Sequence, residues 1–196
     1  MARYSVFGHV GVGKSTLMLS LADMGMLTVS EPWSDWAPFF DLYMKNPIKW
    51  GPAFQLVVAK SYADIYQAHN AHSGTVVVER SPQCCRAFTA WMHQCGQLDD
   101  ETCHIINAYI DTVPWFPCIR QVYLRCSPAT ATARALGRPH EPNPCPADYM
   151  DFLHKQWESK VAPDTIVIDA EQSHADVLAD FVRATACHGA IPLAVQ

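Results

Sequence analysis

The residues best suited to chemistry form one short run near the start of the chain, Gly8-His9-Val10-Gly11-Val12-Gly13-Lys14-Ser15. The run fits the pattern G-x-x-x-x-G-K-[ST], whose glycines let main-chain N–H groups wrap phosphate oxygens. The lysine of this pattern reaches the outer phosphates, and the hydroxyl after it can ligate Mg²⁺. We therefore predict a nucleoside triphosphate site here, although the motif alone leaves open what is done with the nucleotide.

The segments beside this loop have the character that the motif requires. Arg3 to Phe7 is short and apolar, which predicts a buried strand, and Thr16 to Ala22 predicts a helix. The N-terminus of that helix would add a fixed positive potential at the phosphates. Because strand, glycine turn and helix occur together, a phosphate loop is favoured over a chance match to a glycine-rich turn.

Charged side chains also follow two further predicted strands. Residues 27–30 form one strand and precede Glu31, and residues 75–78 form another and precede Glu79 and Arg80. Ligands of open parallel sheets bind beyond the carboxyl ends of the strands. We therefore expect all three side chains near the phosphate loop.

These three side chains match the needs of phosphoryl transfer, which are a metal holder, a neutralising cation and an acceptor for the hydroxyl proton. Glu79 and Ser15 are suited to bind Mg²⁺. Arg80 suits the phosphoryl group because its guanidinium binds two oxygens at once, and Glu31 suits the base. Two alternatives stay open at this point. Glu31 could cap the helix that follows it, and Glu79 and Arg80 could form an ion pair at the strand end.

Two other groups of polar residues could contact a nucleoside or its phosphates. Gln55, on the predicted helix 52–70, presents a donor and an acceptor that can pair with the edge of a base. The stretch with Arg134, Arg138 and Glu141 could be a mobile flap that closes its arginines over phosphates. The alternatives are a surface glutamine and a solvated charged loop.

The rest of the chain alternates short apolar runs with helical periodicity, which predicts a parallel sheet with right-handed crossovers. With the phosphate loop on the first strand, this order favours a three-layer α/β fold with five parallel strands, in a single domain over residues 1–196. The predicted strands cover residues 3–7, 27–30, 75–78, 119–124 and 165–169. The predicted helices cover 16–22, 36–44, 52–70, 82–94, 98–112, 129–136 and 147–159, with a last one from Ser173.

The composition argues against several classes of protein. The chain has 196 residues, 49% of them hydrophobic, and a formal net charge of −5 without a basic run, so we expect no nucleic-acid-binding surface. No apolar run is long enough to span a bilayer and no signal-peptide pattern occurs. We therefore expect no membrane partner and a cytoplasmic protein, in the host cytoplasm if virus-encoded. The eight cysteines include no C-x-x-C pair, which favours reduced thiols over a zinc site.

Several segments resemble one family of enzymes, the deoxyribonucleoside kinases. Residues 31–36, EPWSDW, resemble their E-P-x-x-x-W, and residues 79–81, ERS, match their E-R-S. Residues 46–55 resemble their D-P-x-x-W…F-Q segment, and residues 123–128, YLRCSP, resemble their Y-L-R-x-S-P. The resemblance runs in order from residue 3 to residue 170. It implies the three-layer phosphate-loop kinase fold, ATP and Mg²⁺ as cofactors, a deoxynucleoside substrate and a homodimer.

The resemblance also implies roles for individual residues. Glu31 would take the proton of the 5′-hydroxyl, Arg80 would steady that carboxylate, and Glu141 would reach the sugar 3′-hydroxyl. A lid would cover residues 134–146. The expected catalytic residues are Glu31, Arg80 and Lys14, and the expected metal-binding residues are Ser15 and Glu79. The expected ATP-binding residues are Gly8, His9, Val10, Gly11, Val12, Gly13, Lys14, Ser15, Thr16, Arg134, Arg138 and Asp169. The expected nucleoside-binding residues are Glu31, Trp36, Tyr43, Phe54, Gln55, Val58, Tyr62, Arg80, Cys85 and Glu141.

The sequence departs from the family pattern at three places. Relatives usually have a tyrosine where Met44 stands, so either the preceding Tyr43 binds the 3′-hydroxyl or that contact is missing. Relatives place a base-stacking phenylalanine where Thr89 falls, with Phe88 one residue away. Their lid is also richer in arginine, whereas proline and histidine follow its second arginine here. We expect these changes to affect the substrate range more than the chemistry.

The base pocket that the resemblance implies carries no charged pair. Purine- and cytosine-preferring members place an arginine and an aspartate where this chain has Tyr62 and Cys85, with Val58 nearby. Tyr62 also takes up volume, which favours a pyrimidine, thymine first. Cytosine stays open, because a flipped Gln55 amide can pair with either base.

Two other functions stay open from the sequence. A thymidylate-type nucleoside monophosphate kinase shares the phosphate loop and has an acid–arginine pair after a strand. A non-catalytic nucleotide-binding switch shares the loop alone. No N-K-x-D follows any predicted strand, so specific guanine recognition has no visible source.

Overall fold

A parallel sheet forms the centre of the fold in the computed structural model, which describes residues 2–136 and 145–186. Within these ranges the sheet has five strands in the order β2-β3-β1-β4-β5, every neighbouring pair parallel. The strands are β1 Arg3–Gly8, β2 Leu27–Val29, β3 Val76–Glu79, β4 Arg120–Arg125 and β5 Ile166–Asp169. The predicted α/β fold with five parallel strands is therefore confirmed.

Helices connect the strands, as parallel pairing requires. They are α1 Lys14–Asp23, α2 Trp33–Lys45, α3 Pro47–His69, α4 Cys85–Gln94, α5 Asp100–Thr112, α6 Pro128–Ala135, α7 Ala147–Glu158 and α8 His174–Ala186, with a short 3₁₀ helix at Pro82–Cys84. No helix in the described ranges is long and apolar enough to cross a membrane.

Helix α3 begins five residues earlier than the predicted start at residue 52, because a proline is tolerated in the first turn of a helix. α3 begins at Pro47, where a missing N–H costs nothing, and the Asn46 side chain caps this helix by accepting a hydrogen bond from the Lys49 N–H. Pro52 therefore lies inside α3, and Pro38 lies inside α2, which begins at Trp33. The early start of α3 gives it 23 residues on which to carry side chains of the candidate site.

The chain divides into two compact units. The sheet unit holds the described parts of residues 1–30, 71–80 and 118–196, and the helical unit holds residues 31–70 and 81–117. The core of the sheet unit is a continuous apolar cluster between the sheet and its helices, with Tyr4, Leu17, Val77 and Phe181 fully buried. The single domain over residues 1–196 and the lid over residues 134–146 stay predictions, and residues 137–144 of that lid lie outside the described residues.

Candidate active site

The phosphate loop runs from the end of β1 to the start of α1, so the strand and the helix fix its two ends. Gly11 has a positive φ of 84°. A Cβ atom there would lie 2.2 Å from the carbonyl oxygen of Ala131, so both the space and the backbone conformation require glycine. Ser15 and Thr16, in the first turn of α1, are exposed and can offer their hydroxyls to a ligand.

Lys14 and Glu79 form a buried ion pair within the sheet unit. The Lys14 Nζ atom lies 3.9 Å from Glu79 Oε1, and both side chains are less than a tenth exposed, at 6% and 7%. Nζ also donates hydrogen bonds to the carbonyl oxygens of His9, at 2.7 Å, and Gly8, at 3.4 Å. A buried ammonium needs such partners. The arrangement brings a cation and an acid together at the loop, the pair of groups that a phosphate and its metal ion require.

Arg80 continues the chain past β3 in an unusual backbone conformation. Its φ is +62°, in the left-handed region that non-glycine residues seldom adopt. The Arg80 N–H donates to the Val6 carbonyl at 2.8 Å, the Ser5 hydroxyl donates to the Arg80 carbonyl at 2.9 Å, and Arg80 Nη2 lies 3.5 Å from the Gly8 carbonyl oxygen. These contacts hold the strained residue beside β1, and strain of this kind is concentrated at functional sites.

The Glu31 carboxylate is held by a tyrosine of the helical unit. The Tyr62 hydroxyl donates a hydrogen bond of 3.3 Å to Glu31 Oε1. Helix α2 begins two residues after Glu31, with Pro32 at its N-cap and no side-chain cap hydrogen bond. Pro32, rather than Glu31, is thus the N-cap residue of α2.

Aromatic rings surround this tyrosine. Tyr62 is 1% exposed and meets the ring of Trp36 at 6.3 Å and the ring of Trp115 at 5.5 Å, both edge to face. The Trp36 indole N–H donates to the Ser61 hydroxyl at 3.2 Å. This packing fixes the direction of the phenol and of the carboxylate that it contacts.

Gln55 is a buried amide on α3 that is only half satisfied. Its side chain is 4% exposed, and Nε2 donates to the Met92 sulfur at 3.2 Å. Its Oε1 atom has no hydrogen-bond partner among the residues that the structure describes. An unsatisfied buried acceptor costs about 1–3 kcal/mol, so a ligand N–H at this position would be strongly favoured. The alternative of a surface glutamine is wrong.

The side chains at the other expected base-contacting positions are buried and uncharged. Val58 lies one helical turn after Gln55, and Cys85 is the first residue of α4. Thr89, where relatives have a stacking phenylalanine, is fully buried and donates to the Cys85 carbonyl at 3.0 Å.

Tyr43 already has a partner inside the helical unit. Its hydroxyl donates to Gln97 Oε1 at 2.9 Å, and its ring stacks on Phe54 at 5.5 Å. Burial is the main cause that raises the pKa of Tyr43. Met44 is 62% exposed. A role for Tyr43 at the sugar would require its hydroxyl to exchange Gln97 for the substrate.

Arg134 and Glu171 tie helix α6 to the loop after β5. Arg134 donates to the Ala170 carbonyl at 2.6 Å, and the Glu171 carboxylate accepts from the Ser127 N–H and the Thr130 hydroxyl, both at 2.6 Å. The Ser127 hydrogen bond is the main cause that lowers the pKa of Glu171. In this structure Arg134 therefore contacts the loop after β5, and its role in ATP binding stays a prediction.

Of the expected residues Arg138, Glu141 and Asp169, the structure describes only Asp169. Asp169 is exposed, and its Oδ1 atom accepts the N–H of Glu171 at 2.9 Å. Arg138 and Glu141 lie outside the described residues. The sequence analysis did not single out Gln97 or Trp115, which contact Tyr43 and Tyr62 from distant points of the chain. Their spacing along the sequence carried no signal for these contacts.

Comparison with known proteins identifies the class. The family model described as deoxynucleoside kinase matches residues 4–184, so the chain belongs to the deoxynucleoside kinase family. It is 32% identical over 167 residues to a Fowlpox virus (strain NVSL) protein named "Probable deoxycytidine kinase", covering 80% of this chain and 70% of that one. It is 27% identical over 179 residues to a Frog virus 3 (isolate Goorha) protein named "Putative deoxynucleoside kinase", covering 90% and 89% of the two chains.

Solved structures agree on the fold. Deoxyadenosine kinase from M. mycoides with the products dCMP and dCDP superposes with a TM-score of 0.82 at 21% identity, covering 95% of this chain and 99% of that one. The same enzyme with bound dATP gives a TM-score of 0.81. The chain thus has the fold of these solved kinase structures.

Proposed function

We propose that this deoxynucleoside kinase prefers thymidine and transfers the γ-phosphoryl group of ATP, bound with Mg²⁺, to the 5′-hydroxyl. The observation that supports a base at this position is Gln55, a buried amide whose Oε1 has no partner in the described part of the chain. Thymine offers an N–H at N3 next to a carbonyl at C4. Gln55 can accept from the first through Oε1 and donate to the second through Nε2, so one base would satisfy both amide atoms.

The side chains expected around the base support a pyrimidine. Tyr62 is fixed between two tryptophans, and Val58 and Cys85 add no charge. A purine would need room that the Tyr62 ring takes up, as well as polar partners for its second ring. The thymine methyl group, by contrast, is suited to apolar neighbours.

The chemistry we propose assigns each group one role. The loop amides, Lys14 and Ser15 hold the triphosphate and Mg²⁺, with Glu79 serving the metal or its water shell. The 5′-oxygen attacks the γ-phosphorus, the bond to the β–γ bridging oxygen breaks, and ADP leaves. The hydroxyl proton passes to Glu31, and Arg80 neutralises charge on the transferring group. By resemblance, we also propose a homodimer.

Deoxycytidine kinase is the second candidate, because a relative in Fowlpox virus carries that name. Rotating the Gln55 amide by half a turn exchanges its donor and acceptor, which suits the N3 acceptor and the amino group of cytosine. The amide itself therefore does not discriminate between the two pyrimidines.

The test is a steady-state comparison of acceptors with labelled ATP. We expect thymidine to give the highest kcat/KM among the four natural deoxynucleosides. The highest value for deoxycytidine would favour the second candidate, and a marked preference for deoxyguanosine would overturn the pyrimidine assignment. Phosphorylation of thymidine monophosphate alone would indicate a monophosphate kinase, and transfer to no acceptor would indicate a nucleotide-binding switch.

A pair of glutamine variants tests the base contact separately. Gln55→Leu should raise KM for the preferred nucleoside at least about tenfold, since it removes both hydrogen bonds to the base. Gln67→Leu, at an exposed position on the same helix, is the matched control and should leave KM unchanged. Equal KM values for the two variants would remove Gln55 from the base site.

A further inference from the structure

Two histidines of the sheet unit face each other at the phosphate loop. His9 is the second residue of the loop, and His154 lies on α7. His9 Nε2 and His154 Nδ1 are 3.3 Å apart, and the two rings are nearly parallel, with an interplanar angle of 7° and centroids 5.5 Å apart. His9 is fully buried. This contact joins a residue of the loop to a helix that lies 145 positions further along the chain.

The contact limits the protonation states that the two imidazoles can adopt together. A hydrogen bond between two imidazole nitrogens needs one N–H and one lone pair. The pair can therefore be neutral or carry one extra proton, but with both rings protonated the facing nitrogens would both bear hydrogen. The link then fails and two like charges meet.

The surroundings keep His9 neutral. Burial, followed by the positive charge available on His154, Lys14 and Arg80, lowers the pKa of His9 to about 4, and Glu158 opposes this only in part. Glu158 lies one helical turn after His154 on α7. At neutral pH the link is therefore intact.

The main chain of His9 is part of the phosphate-binding apparatus. Its carbonyl oxygen accepts a hydrogen bond of 2.7 Å from Lys14 Nζ, the group that must reach the phosphates. On the side chain, Nδ1 is buried and has no hydrogen-bond partner within the described ranges. The His154 bond is thus the polar contact that orients this ring.

We propose that His154 is a positioning residue for the phosphate donor. Its hydrogen bond to His9 holds the loop, and with it the His9 carbonyl oxygen that accepts from Lys14, in the conformation that binds the triphosphate. This inference rests on the proposed function for the identity of the donor, ATP. His154 itself touches no substrate in this scheme and acts through His9. Loss of the bond should weaken ATP binding without affecting the nucleoside.

Isosteric variants separate the hydrogen bond from the packing. His154→Asn places an amide atom where Nδ1 stands and can keep the bond, whereas His154→Phe keeps a ring and loses it. His174→Phe is the matched control, because His174 makes a similar hydrogen bond of 2.8 Å at the surface, to Ser20 on the helix that follows the loop. The measurements are Kd for a fluorescent ATP analogue with Mg²⁺, KM for ATP and for the nucleoside, and Tm.

We expect His154→Phe to raise Kd and KM for ATP about tenfold, while KM for the nucleoside stays unchanged. His154→Asn should stay within about threefold of the wild type, and His174→Phe should match it. Equal affinities for the Phe and Asn variants, or parallel loss of both KM values, would overturn the proposal. If His154→Phe does not fold, His154→Ala makes the same deletion with less steric demand. The binding measurement needs no turnover, so it still decides the point if no nucleoside is phosphorylated.

Discussion

The Tyr62 hydroxyl lies 3.3 Å from Oε1 of Glu31 and donates a hydrogen bond to it. The phenol is fixed by Trp36 and Trp115, so it holds the carboxylate in a defined direction. If Glu31 is the base, its efficiency depends on this direction, because proton transfer requires hydrogen-bond geometry with the substrate hydroxyl.

Tyr62→Phe removes this hydroxyl and keeps the ring. We expect kcat to fall about tenfold, the equivalent of one lost hydrogen bond, while Tm changes little because the aromatic packing remains. Tyr66→Phe, one turn later on α3, is the control, since it removes a phenol hydroxyl from a ring that packs on Phe116, with 5.3 Å between the centroids. Steady-state kinetics on both variants make the comparison, and an unchanged kcat for Tyr62→Phe would remove the positioning role.

Lys14→Met removes the cation that pairs with Glu79. We expect kcat to fall about 10²- to 10³-fold through lost stabilisation of phosphate charge. The free energy of unfolding should also fall by about 3 kcal/mol, because the buried Glu79 carboxylate loses a partner. Adding Glu79→Gln should restore much of the stability and none of the activity.

Urea unfolding and transfer of labelled phosphate measure these two effects separately. Lys60→Met, which breaks an exposed ion pair with Asp64, is the control and should cost less than about 1 kcal/mol. A stable, inactive Lys14→Met enzyme would show that the pair serves only catalysis.

Gly11→Ala should be far more damaging than Gly25→Ala, although both glycines have positive φ angles, 84° and 82°. Each alanine pays about 1–2 kcal/mol for the left-handed backbone. At Gly25 the new Cβ meets nothing within 4 Å, whereas at Gly11 it would lie 2.2 Å from the Ala131 carbonyl oxygen. Thermal unfolding and ATP-analogue binding should therefore both suffer more at Gly11, and equal losses at the two positions would contradict this reading of the loop.

The buried His9 predicts a pH dependence of stability. Its pKa is lowered to about 4 in the folded protein, below the ordinary value of 6.5 that the unfolded chain should show. Between these values the unfolded state binds more protons, so stability is full above pH 6.5 and falls as the pH drops toward 4. The slope from this group is at most about 1.4 kcal/mol per pH unit. In His9→Gln, urea unfolding at several pH values should show a shallower dependence, and an unchanged slope would mean that His9 titrates normally.

Local sequence patterns predicted the helices and strands better than they predicted the contacts between side chains. The apolar run at residues 75–78 and the glycine spacing at residues 8–13 depend on neighbours in sequence, and both features occur where they were expected. Helix α3 began too late in the prediction because Pro52 was read as a start, although Asn46 supplies the cap. Proline is therefore a strong signal of a helix boundary only where no side chain nearby caps the helix.

The sequence predicted which residues belong to the candidate site better than it predicted which residues they bond to. Glu31, Glu79 and Arg80 stand out because each lies at or just after the end of a strand, which is a local property. The bonds Tyr62–Glu31 and His154–His9 join residues 31 and 145 positions apart, so they depend on how the elements pack. Arg134 has a typical position for a phosphate-binding arginine, yet its guanidinium binds the Ala170 carbonyl.

The central claim is that Glu31 accepts the proton of the 5′-hydroxyl, and the kcat of Glu31→Gln tests it most directly. The variant keeps the size of the side chain and removes its basicity, while Asp35→Asn, an exposed carboxylate in the first turn of α2, serves as the control. We predict that Glu31→Gln loses about 10²- to 10⁴-fold in kcat, with Tm and nucleoside Kd close to those of the wild type and Asp35→Asn fully active. A Glu31→Gln enzyme that turns over thymidine at close to the wild-type rate would contradict the account.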